Sequence, residues 1–495
     1  MAQTLWIDVE DLFEYARCNR RPSGIQRLAF QIYGVLQAQY GGSGMVRFVR
    51  HDPARNSFRC VEWAEIAALF RGLVEAAPSA NAASLSTISP HPPARQFIRK
   101  AVHRLPVSLR VPAIDAVVAQ EVALRAWARL IATSVRSAIR SPLRLARHRG
   151  RDRVSATASR ADEFDTVAAH GDVLLVLGSP WSHPDYASLI RRQQMRRGLR
   201  FALLVYDLIP LRRPEWCERG LVRLFRSWFG SVLPLCDQVF AISRATAADL
   251  ESWAQEQGIE LRCPVIPIPI GTGFDGTPPA SRQRTKRLPP PGSYALIVAT
   301  IEVRKNHLLL FRVWRRLLEE LPSDRVPTLV FAGRIGWLVD DLLQQIANTD
   351  NLNGKLLIIE DPSDEELASL YSDCLFTLFP SFYEGWGLPV TESLAFGKPC
   401  FISNRTSWPE AGGKLARSFD PDDLQDAYAK IRGVLEDRAD LTRWEDTVKR
   451  EFTPVSWSTT VEAMLQGLRQ PLAAVADGAI VAPRETLISA HHSEI

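Results

Sequence analysis

Residues 381–400 read Ser-Phe-Tyr-Glu-Gly-Trp-Gly-Leu-Pro-Val-Thr-Glu-Ser-Leu-Ala-Phe-Gly-Lys-Pro-Cys. An apolar run, 375–379, precedes them, and a second, shorter one, 400–402, closes them. This pattern predicts a buried strand, a glycine-rich loop over 384–387, and a helix of about two turns over 389–396. Pro389 suits the first helical position, and Gly397 suits the residue just past the end. Glu384 and Glu392 bracket the loop. A strand that feeds a glycine loop and then a helix N-terminus is how α/β proteins hold anions and polar ligands. Gly385 and Gly387 leave their amides open to a ligand because no Cβ stands in the way. A plain turn with two solvated glutamates is the alternative. Two glutamates together with a Pro start and a Gly stop favour the ligand reading.

The rest of the second half repeats this unit. Strands are expected at 294–300, 328–333, 355–360, 375–379 and 400–403, with helices near 307–321, 337–348, 363–370 and 389–396. Near-continuous apolar strands alternating with helices predict a parallel, doubly wound sheet. The first of these strands ends in Glu302-Val-Arg-Lys-Asn-His307. Arg304 and Lys305 therefore stand in a strand-to-helix loop, where a positive pair can hold a diphosphate. Their place at the same sheet edge as Glu384 favours that role over a solvated surface pair.

The first half shows the same logic less regularly. A strand at 4–7 is followed by Arg20-Arg-Pro-Ser-Gly-Ile-Gln-Arg27 and an amphipathic helix, 28–37. Ser23 is a candidate cap, and Gly24 would leave the turn open to a ligand. Strands are expected at 46–50, 58–63, 172–177, 201–205, 238–242 and 265–269. Polar and glycine residues gather after several of them, notably in Tyr206-Asp-Leu-Ile-Pro. The five prolines of 277–293 mark an interdomain linker. Two Rossmann-like halves across a cleft follow, with a nucleotide diphosphate on the second and a reaction partner on the first.

Length and composition fit this division. The chain has 495 residues and a net charge of +5. Between Arg95 and Arg153 stand 14 Lys or Arg against 3 acids, so that segment carries +11 and the remainder −6. Arg125, Arg129, Arg136, Arg140 and Arg144 interleave with apolar residues there, a pattern that suits an anionic membrane surface or a helical hairpin lying on the domain. No nucleic-acid-binding module accompanies the charge, so no nucleic-acid partner is expected. Seven scattered cysteines without a CxxC pair argue against a disulfide framework or a zinc site. No signal peptide and no membrane span are read, so a cytoplasmic protein is expected, possible contact with a membrane surface included.

At this point the residues resemble a known family. Glu384-Gly-Trp-Gly-Leu-Pro-Val-Thr-Glu392 resembles the signature of retaining glycosyltransferases of family 4. The segment from Ala299 to His307 resembles their diphosphate loop, and Ala332-Gly333-Arg334 the turn after the next strand. Ser23-Gly-Ile-Gln-Arg27 resembles the N-terminal glycine loop of the bacterial polysaccharide branch, of O-antigen mannosyltransferase type. Asp207-Leu-Ile-Pro with Pro214-Glu215 resembles its acceptor-side loop, and Val455-Ser-Trp457 the segment that crosses back to the first domain. The resemblance covers about 1–65 and 170–470.

It implies a GT-B fold: an N-terminal acceptor-side domain over 1–276 with a basic helical insertion at about 75–165, the linker 277–293, a nucleotide-sugar domain over 294–450, a crossover helix at 451–470 and a tail, 471–495. It implies sugar transfer without a metal or other cofactor, Arg304 and Lys305 taking the leaving diphosphate. Glu392 would meet the ribose. Glu384, with Gly385, Trp386, Gly387 and Leu388, would hold the donor sugar, and Gly24 and Gly333 would close on the donor. On the acceptor side stand Asp207, Tyr206 and Arg27. Many relatives have His where this chain has Tyr206, which is no base near neutral pH. The expected activity is a mannosyltransferase or related hexosyltransferase of surface polysaccharide or lipopolysaccharide biosynthesis. Its donor would be GDP-mannose first, or a UDP- or dTDP-sugar, and its acceptor a growing glycan or a polyprenyl-linked one at the inner membrane, with 95–153 facing anionic lipid. A synthase or epimerase of a small soluble sugar, and a non-catalytic membrane-surface scaffold, are the competing readings.

Overall fold

The computed structural model describes residues 3–19, 21–75, 164–181, 183–273 and 285–469. The basic segment 95–153 and the tail lie outside the described residues, and so do the helical insertion and the membrane contact expected of them. Two sheets carry the fold, and both belong to one compact unit. The first contains β1 (Leu5–Asp8), β2 (Val46–Asp52), β3 (Ser57–Val61), β4 (Val173–Val176), β5 (Arg200–Val205), β6 (Gln238–Ala241) and β7 (Val265–Pro267). Its order is β3-β2-β1-β4-β5-β6-β7, parallel except for the β2–β3 pair. The second contains β8 (Tyr294–Val298), β9 (Thr328–Ala332), β10 (Leu356–Ile359), β11 (Thr377–Phe379), β12 (Cys400–Ser403) and β13 (Arg417–Phe419). Its order is β10-β9-β8-β11-β12-β13, parallel throughout.

Helices cover both faces of each sheet, so β4, β6, β11 and β12 are buried along their whole length. That is why their sequences run apolar without alternation. In the first sheet the order reverses between β1 and β4, and in the second between β8 and β11. Loops leaving the C-terminal ends of strands diverge at such a point and open a crevice. The class is therefore the expected one: two doubly wound, Rossmann-like sheets.

Local differences have simple causes. Trp63, expected inside a strand, begins the Trp63–Val74 helix, because Val61 is the last residue to pair with β2. The Gly24–Tyr40 helix starts at the glycine itself, four residues earlier than the apolar pattern suggested. Ser23 occupies its N-cap position, but its hydroxyl is turned to the Gln26 side chain and makes no cap bond. The Glu10–Cys18 helix and β13 are short and charged enough to escape periodicity. Arg287 ties the end of the linker to Glu366 of the second domain. The Trp457–Arg469 helix returns to the first sheet, where Val461, Met464 and Leu468 join its core. Gly467 permits that return, since a Cβ there would lie 2.6 Å from the Phe240 ring. All seven cysteines are free, and among the described residues no helix is long and apolar enough to cross a membrane.

Candidate active site

The crevice of the second sheet holds a cation–carboxylate cluster. β8 and β11 pair in parallel, so the loops after them leave at one edge. From the first loop come Glu302, Arg304 and Lys305, and from the second Tyr383 and Glu384. Arg304 Nη1 lies 2.7 Å from Glu384 Oε1 and donates to the Tyr383 carbonyl at 2.6 Å. Its Nη2 donates to Glu302 at 2.6 Å. Lys305 Nζ donates to the same Glu384 oxygen at 2.5 Å. Burial alone would raise the Glu384 pKa, but the two cations outweigh it and hold the carboxyl at about 2. Burial and the neighbouring guanidinium pull Lys305 below the usual lysine range, whereas the carboxylates keep Arg304 firmly protonated despite burial.

The loop itself is set by the chain that follows. Asn306 adopts φ 57°, a conformation Asn tolerates, and its amide donates to the carbonyls of Pro380 and Pro421. His307 opens the next helix fully buried, and burial lowers its pKa to about 3, so the ring is neutral. The second glycine loop is anchored from the β12 exit: Glu384 N–H donates to Thr406, and Ser407 donates to the carbonyls of Glu384 and Trp386. Gly387 stands at φ 141° against the Trp408 ring, where a Cβ would come within 2.7 Å. Gly333, at φ 151°, lies so close to the Ala299 carbonyl that a Cβ would meet it at 2.0 Å.

Several donor-side candidates lie where the two domains meet. A Cβ on Gly385 would stand 2.0 Å from the Tyr206 carbonyl oxygen and 3.1 Å from Asp207 Cβ. Gly24 faces Leu388 Cδ1 across the cleft, 3.9 Å from where its own Cβ would be. Trp386 packs against the cores of both sheets, and its indole N–H is buried without a partner. Further bonds span the same cleft. The N–H groups of Arg244 and Ala245, opening the Arg244–Glu256 helix, donate to Glu410 at 2.8 Å each. Thr246 donates to the Gly385 carbonyl at 3.2 Å, and Trp337 Nε1 to the Trp216 carbonyl at 2.7 Å. Arg27 pairs with Asp364 at 2.9 Å, so it bridges the domains. Glu392, whose pKa burial raises, accepts from the Tyr371 hydroxyl at 2.8 Å.

Of the residues expected on the acceptor side, Asp207 accepts from the Ile209 N–H at 3.0 Å, and burial raises its pKa. The Tyr206 hydroxyl is turned inward and donates to the Leu177 carbonyl at 2.5 Å, so that donor is already committed. The first sheet's crevice holds a polar network that sequence reasoning missed. Asp8 accepts from Tyr186 and pairs with His51, each at 2.7 Å, while Arg50 pairs with Glu10 at 2.8 Å. Asp8 stays below its usual pKa despite burial because of His51. Asp11 lies at the β1–β4 reversal against Gly178, with Oδ2 unpartnered, and burial together with the Asp8 charge raises its carboxyl to about 7. The one available signal was acids directly after an apolar strand, in Asp8-Val-Glu-Asp11.

Two doubly wound sheets meeting at their C-terminal edges, with a cation–carboxylate cluster at one crevice, define the GT-B class of architecture. Residues 281–451 match the family described as Glycosyl transferases group 1. A serotype-specific mannosyltransferase, WbdA, of Escherichia coli is 28% identical over 296 residues, covering 55% of this chain and 34% of that protein. An O-antigen chain mannosyltransferase B of Escherichia coli is 37% identical over 144 residues, 29% of this chain and 37% of that protein. This chain thus spans about a third of the length of these curated relatives. The Anabaena protein HepE, solved with UDP and glucose, is 10% identical and covers 94% of this chain and 99% of its own, with a TM-score of 0.49.

Proposed function

We propose that this chain is a retaining hexosyltransferase. It moves a sugar from a nucleoside-diphosphate donor, GDP-mannose first, to a lipid-linked or growing glycan in surface-polysaccharide assembly. The cluster of Arg304, Lys305 and Glu384 carries this reading. Its two cations and two carboxylates, Glu302 and Glu384, balance, so nothing in it is left over while the site is free of donor. An arriving diphosphate competes with Glu384 for Arg304 and Lys305. Glu384, released but still ionised, then accepts from the donor sugar hydroxyls beside the amides of 385–387. Glu392 accepts from the ribose.

The C1–phosphate bond breaks as the charge on the leaving oxygen grows, and the two fixed cations stabilise that charge. The acceptor oxygen bonds C1 on the same face, and its proton passes to the leaving phosphate oxygen. No protein base and no metal is required in this scheme, and Asp207 lines the acceptor side. The mannosyltransferase names of the relatives support the choice of sugar. The chemistry of a lipid-linked acceptor supports a site of action at the inner face of a membrane.

The test is a thermal-shift panel of GDP, UDP and dTDP sugars with the full chain in EDTA, followed by transfer assays with the donor that shifts most. A GDP-mannose shift that Glu392→Ala weakens is expected. No shift with any nucleotide sugar, or a shift indifferent to Glu392→Ala, would overturn the assignment.

A further inference from the structure

Outside the cleft, two helices of the first domain present a strongly basic face among the described residues. The Tyr186–Arg197 and Arg219–Val232 helices connect β4 to β5 and β5 to β6, so right-handed crossovers place both on the same side of the sheet. They pack together, with the rings of Tyr186 and Trp228 stacked at 6.2 Å. Between them they carry Arg191, Arg192, Arg196, Arg197, Arg219, Arg223 and Arg226, and no acid. Arg191, Arg196, Arg219, Arg223 and Arg226 are exposed and form no ion pair among the described residues. The next helix on that side, Arg244–Glu256, carries Asp249, Glu251 and Glu256 against one arginine, so the charge is local to the first two helices.

The basic face is not purely polar. Met195 is 77% exposed between Arg191 and Arg196, and Leu224 is 44% exposed beside Arg223. Where the Arg219–Val232 helix begins, the second domain adds an apolar tip. Ile335, Trp337 and Leu338 are 41%, 53% and 63% exposed, and Trp337 Nε1 bonds the Trp216 carbonyl three residues before that helix. The tip is built rather than loose: Ile301 N–H donates to the Arg334 carbonyl at 2.7 Å and Gly336 N–H to the Ile301 carbonyl at 2.8 Å. Leu338 is even held at φ 58°, a conformation unfavourable for leucine.

Unpaired arginines call for a polyanion, and protruding Leu, Ile, Met and Trp call for a partner with an apolar layer just beneath its charges. We infer that this face docks on an anionic lipid bilayer, the arginines on headgroup phosphates and the 335–338 tip at the headgroup–acyl boundary. A nucleic acid would satisfy the arginines but leave the aliphatic tip uncovered, and a glycan would satisfy Trp337 but not the arginines. The docking edge adjoins the mouth of the cleft, where a lipid-linked acceptor would arrive. The basic and apolar face does not depend on the proposed reaction, which supplies only its purpose.

The experiment is sedimentation of the full chain with phosphatidylcholine vesicles and with vesicles containing phosphatidylglycerol, at low and high salt. Binding to the anionic vesicles alone, weakened by salt, is expected. Each arginine near an anionic surface contributes about fivefold in partitioning, so Arg219→Gln/Arg223→Gln/Arg226→Gln should lower it roughly a hundredfold. Leu338→Asn, which suits the left-handed backbone and spares the Trp337 bond, should lower it severalfold. The nucleotide-diphosphate thermal shift, measured on the same arginine variant, should stay unchanged, so a failed donor reading shows separately from a failed docking one. No binding to anionic vesicles overturns the inference. So does binding equal in variants and wild type, which would put docking elsewhere on the chain, or binding to single-stranded oligonucleotide tighter than to vesicles.

Discussion

Asp11→Asn tests the electrostatics of the first domain's crevice. Asp11 is 7% exposed, has an unpartnered Oδ2 and faces the Asp8 charge, and its carboxyl is raised to about 7 from an ordinary value of 3.8. A raised acid binds its proton more tightly when folded than when unfolded. Its contribution to stability is therefore complete below the ordinary value and is lost as pH rises through about 7. The whole loss is about 4 kcal/mol, at about 1.4 kcal/mol per pKa unit. Between roughly pH 5 and pH 8 it amounts to about 2–3 kcal/mol, or roughly 4–10 °C of melting temperature for a domain of this size. Asn keeps the shape and removes the ionisation, though its amide leaves a buried donor to satisfy at about 1–3 kcal/mol. Thermal melts of both proteins across that range should show the variant losing less stability towards pH 8. A wild type and variant whose separation is constant across the range would refute the reasoning, because the burial of an ionising carboxyl would then have no energetic consequence.

Four other outcomes follow from the site. Glu384→Gln removes the carboxylate that competes with phosphate for Arg304 and Lys305, so GDP binding measured by calorimetry should tighten while transfer falls about a hundredfold or more; weaker GDP binding would contradict the exchange mechanism. The same variant should lose stability by about 3–5 kcal/mol without ligand, since two buried cations are left short of a partner. Gly385→Ala would drive a methyl into the Tyr206 carbonyl, 2.0 Å away, so transfer should drop about a hundredfold and small-angle scattering should show a more open molecule; an unchanged profile and rate would count against the contact. Tyr371→Phe deletes the hydrogen bond that restrains the raised pKa of Glu392, so donor affinity should be lost at a higher pH than in wild type as the solution is acidified; identical pH profiles would dissociate Glu392 from donor binding.

The second domain was legible because its strands are apolar end to end and its polar residues cluster just past them. Arg304, Lys305 and Glu384 could be placed at one sheet edge from that pattern, and they meet within 2.7 Å. The residues that hold them there were not legible. Thr406 and Ser407 lie some twenty positions downstream, in a loop that reads as an ordinary turn until β12 is set beside β11. The network of Asp8, His51 and Tyr186 joins three distant stretches of chain. Trp386 was read from its loop as a donor contact. Its position between two hydrophobic cores depends on how the domains meet, which no local window contains. Tyr206 likewise shows its backbone to Gly385 and its side chain to Leu177, a distinction of one rotamer.

The contact of Gly385 with the Tyr206 carbonyl bears on how the two domains could be recombined with those of other proteins. A loop in the place of 381–387 taken from one protein, and one in the place of 204–208 from another, will fit only if a bare α-carbon again stands opposite a carbonyl. Swapping whole domains would therefore succeed or fail at this seam before any binding site was consulted. Transplanting the 381–387 and 204–208 segments together is the smallest graft that carries its own fit.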